Sequence, residues 1–446
     1  MDRAGVSAAA PGGPHDEIAL VGALTHEGDG VVRGGKTVFV PGALPGERVR
    51  LRRTRRHRQH DEGELLEVLA ASPDRVAPRC AHFGVCGGCV LQHFAPAAQL
   101  AAKEAELKST LERVARVAPA RWLEPLAGPV WAYRRRARLG AKYVYRKGRV
   151  VVGFRERAAP YVADLAGCEV LAHPAGALIA PLAGVLTELS IREHVPQIEV
   201  AVADNATALV LRVLAPPSVA DLALLRQFAG QHSVRLYLQP AGLGSVQPLG
   251  EPPAEPLRYA LRSFGLELEF SPTDFIQVNG PVNEALVARA AELLELKSDA
   301  SVLDLYCGLG NFTLALSRRA QSAVGVEGEP QLIARARANA ARNAVTNAGF
   351  HQADLAAEPA AGEPWLRRPY SHVLLDPPRT GARAMLATVA RLAPERVLYI
   401  SCHPGSLARD LMELVHEHGF RLEAAGVVDM FAHTAHVESL ALLVRP

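Results

Sequence analysis

From residue 270 onward, short apolar runs alternate with amphipathic ones. SVLDLYC, SAVGVEG, SHVLLDPP and RVLYISC have the pattern of buried strands, whereas PQLIARARANAARNA and PGSLARDLMELVHEHG have helical spacing. That alternation predicts a parallel α/β sheet with ligands at the C-terminal ends of its strands. The last segments, RLEAAGVVDMF and HVESLALLVRP, predict a terminal antiparallel pair. Upstream the period changes. Residues 17–72 run in bursts (EIALVGAL, GKTVFVPG, ERVRLRRT, EGELLEVL) separated by Gly and Pro turns, as in a small β-barrel. Residues 96–118 have helical spacing, with Leu100, Leu107, Leu111 and Val114 on one face, and this helix is expected to pack on the C-terminal domain. Mixed β-like segments and short helices fill about 127–268, and the Pro/Gly-rich stretch 240–256 reads as a long loop or hairpin connection. The expected division is a disordered tail at 1–16, a barrel at 17–72, a central α+β domain at 73–268 and an α/β domain at 269–446.

Bulk composition fits an ordinary soluble protein of several domains. The chain has 446 residues, 49% of them hydrophobic, and a formal net charge of +3. No apolar run reaches membrane-spanning length and the N-terminus has no hydrophobic signal core, so a cytoplasmic location without membrane contact is expected. Charge distribution says more than net charge. Segment 48–60 holds seven arginines and no acid, and segment 131–149 holds eight Lys/Arg and no acid, interleaved with Trp131, Tyr133, Tyr143 and Tyr145. Two such runs, one carrying aromatics, point to a polyanion, RNA above all.

Local motifs carry the chemistry. SVLDLYCGLGNFTLAL at 301–316 is an apolar strand entering a glycine turn and then a helix, a cradle for a carboxylate or phosphate. It departs from G-x-G-x-x-G, and Asp304 ahead of the glycines fits an S-adenosylmethionine loop instead. Glu327, ending the next strand, can hold two ribose hydroxyls, and Asp354 suits the adenine. Cys402 stands at a strand's C-terminal end before a helix whose N-terminus can lower a thiol pKa, and Glu438 opens the last strand.

Taken in order, F275-I-Q-V-N279, D-L-Y-C-G-x-G-N-F, D-P-P-R, S-C-x-P and H-T-x-H-x-E-S resemble the RNA uracil-C5 methyltransferase family. The string GDGVVRGGKTVFVPGALPGERV resembles the OB-like, RNA-binding TRAM domain. The resemblance implies a class I (Rossmann-like) methyltransferase domain preceded by a TRAM barrel and a central iron–sulfur-containing domain. It implies Cys402 as nucleophile and Glu438 as base, with Gln277, Tyr306, Asn311, Glu327, Asp354 and Asp376 at the S-adenosylmethionine site. Among family branches, the one acting on 23S ribosomal RNA is most similar, which makes that RNA the expected partner; oligomeric state is not readable from the sequence, and a monomer is the default expectation.

The chemistry is coherent on its own terms. Carbon 5 of uracil is a weak nucleophile until a thiolate adds to carbon 6 and generates an enolate. A base must then remove the carbon 5 proton so that the thiol can leave.

CAHFGVCGGCVLQH at 80–93 raises a separate question. A C-x5-C-x2-C cluster in a chain with only six cysteines indicates metal or redox chemistry rather than a disulfide framework. Spacing alone allows zinc on Cys80, Cys86 and Cys89 with His82, His93 or Cys168, and equally an iron–sulfur site. The resemblance implies a [4Fe-4S] cluster on Cys80, Cys86, Cys89 and Cys168.

Three other readings compete. A tRNA uridine enzyme would belong to a branch that usually lacks the barrel and the cysteines. A cytosine-C5 methyltransferase acting on RNA usually carries another cysteine beside the D-P-P motif, where this chain has Arg379. A non-catalytic RNA-binding scaffold would not need Cys402 and Glu438 intact.

Overall fold

The computed structural model of the chain describes residues 16–360 and 362–446. The expected tail lies outside the described residues except for Asp16, which opens the first strand. Strands β1 (Asp16–Leu24), β2 (Gly30–Val32), β3 (Thr37–Val40), β4 (Arg48–Arg56) and β5 (His60–Ala70) close into a barrel in the order β1-β2-β3-β5-β4. Alternation along β4 turns Val49 and Leu51 inward, against Val21, Val38 and Val40, and leaves its arginines outside. The acids missing from that run in the sequence arrive from neighbouring strands. Arg52 pairs with Asp16 at 2.9 Å, Arg53 with Glu17 at 2.9 Å and Asp61 at 2.8 Å, and Arg50 with Glu67 at 3.0 Å. Among the described residues only Arg48, Arg56 and Arg58 of the seven have no carboxylate partner. The cationic face is narrower than the run suggests.

Helix α1 (Pro96–Thr110) and a two-residue strand β6 (Arg121–Trp122) lead to a six-stranded sheet. It contains β7 (Arg136–Val144), β8 (Arg149–Gly153), β9 (Gln197–Val202), β10 (Thr207–Arg212), β11 (Val234–Gln239) and β12 (Gln247–Pro248), in the order β12-β11-β10-β9-β7-β8. Helices α2 (Ile179–Glu188) and α3 (Val219–His232) bury Leu182, Leu186, Leu225 and Phe228 against it. The second basic run is again partly neutralised, with Arg138 at 2.6 Å from Glu199 and Arg135 at 2.7 Å from Asp204.

A hairpin of β13 (Leu257–Leu261) and β14 (Leu266–Phe270) follows and straddles the expected division at 268–269. It joins the two units: Asn339 and Asn343 bond its backbone from the α/β side, while from the central domain Asn205 Oδ1 accepts the Arg258 N–H at 3.1 Å and Asp204 Oδ2 the Ala260 N–H at 3.0 Å. The α/β unit comprises α4 (Gly280–Leu294), β15 (Ser301–Leu305), α5 (Asn311–Ser317), β16 (Ser322–Glu327), α6 (Pro330–Arg342), β17 (Ala348–Gln352) and β18 (His372–Leu375). It continues through α7 (Arg383–Leu392), β19 (Arg396–Ser401), α8 (Pro404–His416), β20 (Arg421–Val428) and β21 (Glu438–Val444). Its sheet order is β17-β16-β15-β18-β19-β21-β20-β6. The first five strands are parallel, and β21 is antiparallel to both β19 and β20. β6 adds an eighth strand that the pattern did not predict. No helix among the described residues is long and apolar enough to cross a membrane.

Helix α1 lies on this sheet's β20 and on α8, with Leu107 and Leu111 fully buried. Val114, expected on the same face, is 46% exposed, and Ala115 is buried in its place. The cause is a π-helical turn at Leu111–Ala115, whose wider winding brings the fourth residue onward, not the third, back under the core. Leu107→Ala should therefore destabilise the α/β unit by about 2–5 kcal/mol. Val114→Ala should cost less than about 0.5 kcal/mol. Equal losses in thermal or denaturant unfolding would contradict this phase assignment.

Candidate active site

Strand register gathers the candidate residues at one edge of the sheet. Leu305 pairs with Leu375 and with Val326, so Tyr306, Glu327 and Asp376 emerge side by side at the C-terminal ends of β15, β16 and β18. Asp354 lies just beyond β17 and is exposed, its Oδ1 accepting from the Ala356 N–H at 2.9 Å. Ser401 pairs with Ser439, so the next residues along, Cys402 and Glu438, face one another across β19 and β21. Gln277 stands apart from this edge in sequence, half-buried between Ile276 and Val278 ahead of α4.

The glycine loop is shaped by hydrogen bonds to the neighbouring strand. Tyr306 and Cys307 donate their N–H groups to the Val326 carbonyl at 2.9 and 3.1 Å, and the Gly308 N–H donates to Glu327 Oε2 at 3.2 Å. Gly310, at φ +94°, makes the left-handed turn into α5 that a side chain would strain. Asn311 is fully engaged within the protein. Its carbonyl accepts from the Tyr259 hydroxyl at 2.9 Å and the Asn283 amide at 3.0 Å, and its own amide donates to Asn283 at 3.0 Å. It anchors the loop to α4 and β13. Asp304 is fully buried, accepts from the Thr313 hydroxyl, and is pushed up to about 7 by burial.

Electrostatics at the Cys402–Glu438 pair oppose one expectation. The helix after Cys402 does not win: burial, then Glu438 and Asp376, push the thiol above its ordinary range, while Arg379 pulls the other way. The first turn of α8 is also already served, since His403 Nδ1 accepts the Ser406 N–H at 3.1 Å. Burial, with Asp376 next in weight, raises Glu438 to about 8, and burial raises Asp376 to about 7. Two protonatable carboxyls and a thiol thus share a dry corner, the arrangement expected of groups that take and give protons.

That corner adjoins a cleft of about 790 Å³ bounded by every part of the chain described above. His26 comes from the barrel, Gly88 from the cysteine loop, Arg134 and Arg157 from the central sheet, and Arg379 and His436 from the α/β unit. Arg379 therefore belongs both to the cleft wall and to the charge environment of Cys402. Its sequence signal was its place after D-P-P, which marks a loop at a strand end but not the direction it faces.

The four cysteines Cys80, Cys86, Cys89 and Cys168 line one small enclosed cavity. Gly87 lets the loop lie against the central sheet; its N–H donates to the Arg155 carbonyl at 2.9 Å, and a Cβ there would meet that oxygen at 2.9 Å. Burial pushes Cys86 up to about 11 and Cys89 up to about 12. His82 also lines the cavity, but its Nε2 accepts from the Ala166 N–H at 3.0 Å, and His93 packs against Phe83 instead. Among the described residues, no three His, Cys, Asp or Glu side chains are grouped to hold a single metal ion.

Removing either charged neighbour should change the reactivity of Cys402. At pH 9, where Glu438 is ionised, Glu438→Gln should speed alkylation of Cys402 by iodoacetamide and Arg379→Ala should slow it. Peptide-resolved mass spectrometry reads this directly, and unchanged rates in both variants would contradict the charge assignment.

Comparison with known proteins gives the family. A family model described as tRNA (Uracil-5-)-methyltransferase matches residues 257–362 and 365–446. The 23S rRNA (uracil(1939)-C(5))-methyltransferase RlmD of Alkalilimnicola ehrlichii is 49% identical over 430 residues, 96% of each chain. Its namesake in Nitrosococcus oceani is 48% identical over 95% of each chain. In fold, the chain is similar to the Pyrococcus abyssi tRNA (uracil-54, C5)-methyltransferase solved with S-adenosyl-L-homocysteine. That likeness has a TM-score of 0.72 at 22% identity and covers 96% of this chain and 100% of the other. With half its residues shared over nearly its whole length, the chain belongs to the RNA uracil-C5 methyltransferase family.

Proposed function

We propose that the protein methylates carbon 5 of a uridine in 23S ribosomal RNA, using S-adenosylmethionine, in the cytoplasm. The observation that carries this reading is the strand register that pairs Ser401 with Ser439 and so brings Cys402 and Glu438 together, with Asp376 and the cleft residue Arg379 near enough to shift the thiol. The near-complete two-way coverage of relatives named for uracil 1939 supports the equivalent uridine as target. The chain's three parts then divide the labour, with barrel and central sheet gripping RNA and the α/β unit carrying out the chemistry.

Cys402 Sγ adds to carbon 6, and the electron pair of the carbon 5–carbon 6 bond moves toward oxygen 4. S-adenosylmethionine, when bound, supplies the electrophilic methyl group that carbon 5 then accepts. Glu438 removes the carbon 5 proton, the double bond re-forms, and the Sγ–carbon 6 bond breaks. Glu327, Tyr306, Asp354 and Gln277 would hold the cofactor, and Asn311 would act through the loop it anchors. Asp376, at the same corner, is suited to hydrogen-bond the uracil edge. The target base must leave its stack, and Arg379 and Arg134 in the cleft offset phosphate charge as it does so.

Both reacting groups work deprotonated and both have raised pKa values, so activity should climb with pH through about 8. Label from methyl-labelled cofactor should enter uracil of unmodified 23S RNA, more slowly at pH 6.5 than at pH 8.5, and Cys402→Ala should abolish it. Label in cytosine, transfer by Cys402→Ala, or a flat profile across that range would overturn the reading.

For Cys80, Cys86, Cys89 and Cys168 the reading is a [4Fe-4S] cluster. What supports it is that all four thiols line one small cavity, so that four irons could each be held by one thiolate. Ligation would supply the deprotonation that burial opposes. Its role is structural, tying residues 80–89 to 168, since methyl transfer needs no electron. Protein purified without oxygen should be brown and hold about four irons per chain. Colourless protein with one zinc per chain would refute the cluster.

A further inference from the structure

A buried polar network outside the reacting groups holds the segment that leads to Glu438. β20 ends at Val428, and residues 429–437 cross to Glu438 without regular structure. Helix α1, more than 300 residues upstream, reaches into this crossing at two points. Lys103 is 3% exposed, and its Nζ donates to Asp429 Oδ1 at 2.7 Å and to the Phe431 carbonyl at 3.0 Å. One turn earlier, Gln99 Oε1 accepts the His433 N–H at 2.9 Å, while Gln99 Nε2 lies 3.1 Å from His433 Nδ1.

The crossing is held from its other sides as well. The Val90 and Leu91 N–H groups, just past the last clustered cysteine, donate to the His433 carbonyl at 2.9 and 3.0 Å. The Tyr133 hydroxyl donates to the Ala432 carbonyl at 3.0 Å, and the Trp131 ring lies 4.0 Å from that of His433. His433 sits at φ +63°, a conformation costly for a side chain and kept only where surroundings impose it. Burying Lys103 with Asp429 is a poor way to gain stability alone, because desolvation consumes most of the attraction. Fixing a backbone path is what such a pair does well.

We propose that Lys103 and Gln99 are positioning residues for proton removal: they set the path of residues 429–437 and so the placement of the Glu438 carboxylate relative to carbon 5. Neither touches the reacting atoms. Cys402 is carried by β19, outside this network, so thiol attack and methyl transfer should be spared while release of the adduct is slowed. The inference rests on the assignment of Glu438 as base.

The test is a quenched time course with unmodified 23S RNA and S-adenosylmethionine, in which denaturing gels follow formation and decay of the covalent protein–RNA adduct. Lys103→Met and Gln99→Leu should form adduct at near the wild-type rate, bind cofactor normally, and release product about ten- to a hundredfold more slowly. Glu438→Gln serves as reference and should barely release at all. Persistent adduct in Glu438→Gln with wild-type release in both α1 variants would overturn the positioning role while leaving the base assignment standing. Absence of persistent adduct in Glu438→Gln would instead strike the base assignment itself. Should Lys103→Met fail to fold, as thermal melting would reveal, Gln99→Leu decides alone, since it leaves no buried charge unpaired.

Discussion

The site depends on one strand register. β21 runs antiparallel between β19 and β20, and its pairing of Ser439 with Ser401 puts Glu438 opposite Cys402. A slip by one residue would send every side chain of β21 to the other face and separate Glu438 from Cys402. Both faces of β21 are buried, with Leu440 and Leu442 on one side and Ala441 and Leu443 on the other, so a slip would force a leucine into the space that Ala441 fills. Packing of a nearly uniform apolar strand thus fixes a polar pair that could not fix itself.

Around that register, electrostatics are arranged to be spent late. Burial pushes Cys402, Asp376 and Glu438 toward their protonated forms, so this corner carries less negative charge than three exposed groups would. Positive charge lies further out, in the cleft, where Arg379 and Arg134 meet solvent and a polyanion can reach them. Along β4 most of the arginines are instead paired with carboxylates of β1 and β5.

Much of this was legible in the chain because it is local. Alternating strands and helices after residue 270, the glycine loop at 306–310 and Cys402 at a strand end are each written within some fifteen residues, and the parallel sheet collects them by rule. What could not be read is long-range. The acids that neutralise β4 come from β1 and β5, the partner of Lys103 lies over 300 residues away, and Arg379 turns into the cleft by a loop geometry no spacing encodes. Val114 misleads for a different reason: a π-turn breaks the helical period on which its expected burial rested. The direction of the Cys402 shift was likewise hidden, since a helix N-terminus is visible in sequence and two carboxylates from other strands are not.

The central claim, a Cys402–carbon 6 bond resolved by proton loss from carbon 5, is tested most directly with RNA carrying 5-fluorouridine at the target. Fluorine leaves no proton for Glu438 to remove, so wild-type protein should remain joined to the methylated base. Mass spectrometry of the digest should then find 5-fluoro-5-methyl-dihydrouridine attached to the peptide containing Cys402 and to no other. Attachment at another cysteine, or complete turnover without any adduct, would contradict the account.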